Sequence, residues 1–129
     1  MGDFANIISE YPVGAVPITA SSGNVAAGSA VATLAGVAGK TTYISGFEIT
    51  GTGATLGLAV TPTVVGTISG TLSYTYAAVA GALLGNTPLM IQYSKSIPAS
   101  AVNTSIVVTC PTLGTGNTNS TVTAHGYQL

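Results

Sequence analysis

The sequence predicts an all-β domain, a two-sheet β-sandwich of about eight strands. Three observations predict it. Short runs rich in Val, Thr, Ile and Tyr recur along the chain, Gly, Pro, Asn and Ser punctuate them at spacings of roughly 8–15 residues, and no stretch carries apolar groups at helical spacing. The chain of 129 residues is the length of a single domain, long enough to bury roughly two-thirds of its unfolded surface without staples. Residues 13–129 are expected to form the sandwich. Residues 1–12 read as an N-terminal arm, because Phe4, Ile7, Ile8 and Tyr11 are bulky and apolar but do not alternate, and the segment ends at Pro12. A first strand of the domain is the other reading of that segment.

The first weak run, 13–20, contains Pro17, which cannot donate to a ladder and so belongs on a sheet edge. The second, 29–35, follows an alanine-rich stretch with too many glycines and β-branched residues for a helix. Alternation is clear in 41–50, where Tyr43, Ser45, Phe47 and Ile49 share one face and Thr42, Glu48 and Thr50 the other. In 56–65, Leu56, Leu58, Val60 and Val64 line one face, with Pro62 marking an edge or bulge. In 71–78, Leu72, Tyr74 and Tyr76 oppose Thr71, Ser73 and Thr75. In 89–94, Leu89, Ile91 and Tyr93 oppose Gln92 and Ser94. Run 103–110 places Ile106, Val108 and Cys110 together, and 120–128 closes the set. The segment 97–102 has room for one helical turn. Phe47, Leu58, Tyr74, Ile91 and Val108 are the expected core residues. Two packed sheets satisfy this pattern, and a jelly roll is one strand order that does so.

Charge is the unusual property. Asp3, Glu10, Lys40, Glu48 and Lys95 are the only charged residues, 4% of the chain, where about 25% is ordinary. Polarity comes instead from 20 Thr and 12 Ser. Little repulsion keeps neighbouring copies apart, which favours association; a homo-oligomer, a trimer in particular, is expected as the closed form. Two lysines far apart in sequence offer nothing like a phosphate-binding surface, so nucleic acid is not an expected partner. The longest nearly apolar stretch, 76–85, is about half the roughly 20 residues a membrane helix needs, and no basic, apolar leader is expected at the N-terminus. The sequons at Asn103 and Asn119 read as accidents of composition.

Candidate chemistry is sparse. Cys110 is the only cysteine, which rules out an intrachain disulfide and any multi-cysteine metal site. It falls on the apolar phase of its run and reads as a buried, inert thiol. His125 is the only histidine, expected to be a surface or hydrogen-bonded structural residue and not a base for Cys110 or a serine. Glu48 has Lys40, Lys95 or solvent as its expected counterpart. The short Gly51-Thr52-Gly53 and Gly114-Thr115-Gly116 segments lack the basic residue and helix of a phosphate loop. The expectation is a non-enzyme with no catalytic residue, no cofactor and no metal. Tyr43, Tyr74, Tyr76 and Tyr93 fall on apolar phases and read as packing residues. Tyr127, near the end of the chain, is the tyrosine least expected in the core.

The run Ile97-Pro98-Ala99-Ser100-Ala101-Val102 continuing to Val108, the turn Gly114-Thr115-Gly116-Asn117-Thr118-Asn119, the closing Ala124-His125-Gly126-Tyr127-Gln128-Leu129 and the run from Gly39 to Phe47 together resemble small structural proteins encoded among the virion genes of tailed bacteriophages. The resemblance spans roughly residues 23–129. It implies a virion protein, and within that group a capsid decoration (cement) protein made in the host cytoplasm. Such a protein sits as an oligomer on the outer capsid surface and clamps the major capsid protein lattice, with Phe4, Ile7, Ile8 and Tyr11 as the anchoring arm. The alternative is a tail, neck or fibre component that binds a host surface glycan.

Overall fold

The computed structural model describes residues 11–52, 57–81 and 87–129. Ten strands follow one another: β1 (Val16–Ser21), β2 (Ala30–Leu34), β3 (Thr42–Thr52), β4 (Leu58–Val60), β5 (Thr63–Thr67), β6 (Gly70–Ser73), β7 (Tyr76–Ala78), β8 (Leu89–Pro98), β9 (Ile106–Cys110) and β10 (Asn119–Gln128). No helix occurs among the described residues. The eight sequence runs become ten strands because two of them break. Run 56–65 splits into β4 and β5 at Thr61-Pro62, and run 71–78 splits into β6 and β7 at Tyr74-Thr75. Pro62 therefore marks a corner between two sheets, with its ring fully buried, and not a bulge inside one strand.

Strand order identifies the architecture. One sheet runs β1-β10-β3-β8 and the other β2-β9-β5-β6, with β4-β7 as a short ribbon. All pairs are antiparallel. Counted as eight runs, the first pairs with the eighth, the second with the seventh, the third with the sixth and the fourth with the fifth. That is one long hairpin rolled into two facing sheets, the jelly roll. Pro17 lies in β1, an edge strand, where its missing N–H leaves no ladder bond unmade.

The core lies between the sheets. Ile44, Phe47, Ile49, Val122 and Ala124 face Ala30, Ala32, Leu34, Val64, Ile106, Val108 and Cys110, all buried. Phe47 and Val108 are in the core, as expected. Tyr74 and Ile91 are only partly buried and pack on its margin. Leu58, at the outer end of β4, is 47% exposed, while Val60 of the same strand is 6% exposed and stays in the core. Buried Gln128 is tied across the seam, its Nε2 donating to the carbonyl of Ala35 at 2.7 Å, and within its own sheet it donates to Thr42 Oγ1 at 3.3 Å.

The alternation expected for 41–50 also fails at one point. In β3, Thr42 and Ile44 point inward, Tyr43 and Ser45 outward, and Phe47 and Ile49 inward again. A β-bulge causes the change of phase. His125 of β10 pairs with Gly46 and its neighbour Gly126 with Ile44, so Ser45 has no opposite number.

Cys110 sits in the core with its Sγ 3.4 Å from the carbonyl oxygen of Pro111. Burial pushes the thiol up to about 11 from 9.0, and the nearby Ser120 hydroxyl, whose Oγ makes no well-formed hydrogen bond, offsets little of that. At neutral pH the group is a thiol, so maleimide labelling should be negligible until denaturant opens the fold. Because the unfolded thiol ionises first, its contribution to stability is complete below about pH 9 and is lost as pH rises through 11. Cys110→Ala should flatten that alkaline decline, and rapid labelling of the native protein would refute this placement.

Candidate functional site

The described side chains with acid–base or charge character are few, and three of them meet on one surface. Glu48 lies between inward Phe47 and Ile49, so it points out of the β1-β10-β3-β8 sheet. His125, on neighbouring β10, points the same way. Its Nε2–H donates to the Glu48 carboxylate, 2.6 Å from Oε2 and 2.9 Å from Oε1. Glu48 thus takes His125 as its partner, not Lys40, Lys95 or solvent alone. Both side chains are about a third exposed (38% and 34%), so the pair contributes about 1 kcal/mol or less to stability. The pair bridges β3 and β10 beside the bulge.

Beside this pair β8 lifts away from β3. Ile44 pairs with Ile97 and Gly46 with Gln92, so residues 93–96 stand against the single residue Ser45. The excursion opens a groove of about 920 Å³, lined among others by Tyr11, Glu48, Met90, Gln92, Lys95 and His125. Tyr93 turns back toward the core, where its hydroxyl meets that of Tyr74 at 2.7 Å. Burial, then that hydrogen bond, raises the Tyr93 hydroxyl above its ordinary range. Tyr74 in turn packs edge-on against Phe47, with centroids 5.3 Å apart.

Tyrosines build one end of the groove. Tyr127 stacks on Tyr43 at 4.7 Å and meets Tyr11 edge-on at 5.7 Å. It is 7% exposed, against expectation, but it is covered on the outer face of the sheet and not between the sheets. Position near the chain end says little about burial once the final strand is paired on both sides.

Ser45 and His125 do not form a nucleophile–base pair. Ser45 Oγ donates to the backbone carbonyl of His125 at 3.0 Å, so its hydrogen bond goes to the main chain and not to the imidazole. Cys110 and His125 are not brought together: one lies inside the sandwich on β9, the other on the outer face of the opposite sheet. Among the described residues no three His, Cys, Asp or Glu side chains cluster as a metal site, and no helix is long and apolar enough to cross a membrane. Of the residues expected to form an anchoring arm, Tyr11 lines the groove, while Phe4, Ile7 and Ile8 lie outside the described residues.

The pairing of Glu48 with His125 joins residues 77 positions apart, and nothing local in the sequence announces it. Gly46 is the one hint, since glycine inside a strand marks a bulge or a close backbone approach; a Cβ there would stand 2.5 Å from the carbonyl oxygen of Ile91. Comparison with known protein families, with curated proteins and with solved structures finds no match.

Proposed function

We propose that this chain is a structural protein of a bacteriophage virion, a capsid decoration protein that binds the major capsid protein lattice on the outer surface of the head. The observation that carries the reading is the surface. Three charged side chains, Lys40, Glu48 and Lys95, serve all the described residues, and large apolar groups such as Met90, at 70% exposure, stand in the open. Such a surface favours permanent association over a free monomeric life. Jelly rolls recur in viral capsid proteins, and also in lectins and cupins, so the fold agrees with the reading without selecting it. The physics of the task agrees too. Each 1,000 Å² of apolar surface buried at a subunit junction contributes on the order of 25 kcal/mol before association costs, enough to brace a pressurised shell.

The arm supplies the anchor in this reading. Phe4, Ile7, Ile8 and Tyr11 would bury against a capsid subunit, and an extended segment can add main-chain hydrogen bonds to a sheet edge. The test mixes purified protein with particles lacking it and locates bound density by electron microscopy. Regular density on the outer shell is expected, with occupancy falling at least tenfold when residues 2–11 are deleted and the melting transition retained. Density confined to the tail, or none, would refute the reading. The groove favours the alternative tail, neck or fibre role, because Glu48, Gln92 and partly exposed tyrosine rings together suit a glycan; selective binding on a glycan array would support that role instead.

A further inference from the structure

The sheet opposite the groove has an outer face of a different character. In β2, β9 and β5 the residues between the buried positions are Val31, Thr33, Thr63, Val65, Val107 and Thr109. The register sets them in two ranks across three strands: Val31, Thr109 and Thr63 in one, Thr33, Val107 and Val65 in the other. Every one is β-branched and none is charged. Val31 and Val65 are 43% and 45% exposed, and Ile68 beside them is 67% exposed. Glu48, Lys95 and His125 belong to the other side of the sandwich, and Lys40 stands in the loop between β2 and β3, outside the two ranks.

We propose that this face pairs with the same face of a second copy of this chain, about a two-fold axis. Charge is the reason for choosing self over a foreign partner. A two-fold axis brings each side chain near the axis against its own equivalent, so any charge there meets a like charge. This face has none to meet, whereas the groove face sets a carboxylate, a lysine and an imidazole in fixed places that call for a complementary surface. Stiff β-branched side chains also lose little rotamer freedom on packing, and facing sheets interdigitate at about 10 Å. The inference rests on the same charge-poor, association-prone surface as the proposed function and not on attachment to a capsid.

The three-strand plane is small, on the order of 250 Å² from strand spacing and rise, against about 800 Å² per partner in a standard interface. Pairing is therefore weak in free solution, and copies held close on a larger assembly would pair far more readily. Sedimentation velocity on the full chain from about 10 µM to about 500 µM tests this, since a weak dimer populates over that range. The sedimentation coefficient should rise with concentration. Val65→Lys, at an exposed position, should weaken the association at least tenfold while melting like the parent, and Thr123→Lys on the groove face should leave it unchanged. Val107→Cys, at the centre of the ranks, should form a covalent dimer on oxidation. A wild-type chain that stays monomeric throughout with no Val107→Cys dimer, or a Val65→Lys chain that associates like the parent, would overturn the inference. Pairing through this face without binding to particles would sink the capsid reading and leave the inference standing.

Discussion

Phe47→Ala is expected to cost about 3–5 kcal/mol, the range for deleting a buried aromatic ring. Phe47 is 1% exposed. It meets Tyr74 edge-on, which in turn holds Tyr93 through the 2.7 Å hydroxyl pair. Removing the ring leaves a cavity between the sheets and loosens both tyrosines on the margin of the core. A domain of this size has about 5–15 kcal/mol in all, so the variant should approach the edge of stability. The urea midpoint should fall by a third or more, with Leu58→Ala nearly silent at its exposed position and Ile91→Ala between the two. A Phe47→Ala chain that unfolds with the parent would show that β3 presents a different face to the core.

Gly126→Ala should be nearly as damaging for a different reason. A Cβ at Gly126 would run into the carbonyl oxygen of Tyr43 and crowd Leu34 Cδ1, 3.2 Å away. The obstacle is backbone, so the strands themselves must separate where β10 meets the bulge in β3, at a cost of about 3 kcal/mol or more. The Glu48–His125 pair and the stack of Tyr127 on Tyr43 flank this point, and both should loosen with it. Gly39→Ala is the control: Gly39 has a φ of +77° but nothing within 4 Å of its added Cβ, so only local strain of about 1–2 kcal/mol applies. Equal melting of Gly126→Ala and the parent would mean that β3 and β10 do not approach this closely.

Much of the fold follows from the sequence because strand chemistry is local. Alternation of Leu72, Tyr74 and Tyr76 against hydroxyl residues, and of Ile106, Val108 and Cys110 against Val107 and Thr109, states which side of each strand is buried. Pro17 announces an edge. Period-2 patterning, ladder donors and charge are properties of a residue and its near neighbours, so they are legible before any folding.

The tertiary structure decided what depends on distant partners. Where Thr61-Pro62 and Tyr74-Thr75 turn corners, the pattern on either side stays regular, and only sheet membership reveals the break. The bulge at Ser45-Gly46 reverses the face of Tyr43 while leaving its sequence context ordinary. Strand order, and with it the jelly roll, is set by pairings such as Val16 with Gln128. The groove exists because β8 gains four residues against one in β3, and its ion pair because β10 returns beside β3. Each of these is a matter of register between segments far apart in the chain, which a local pattern does not encode.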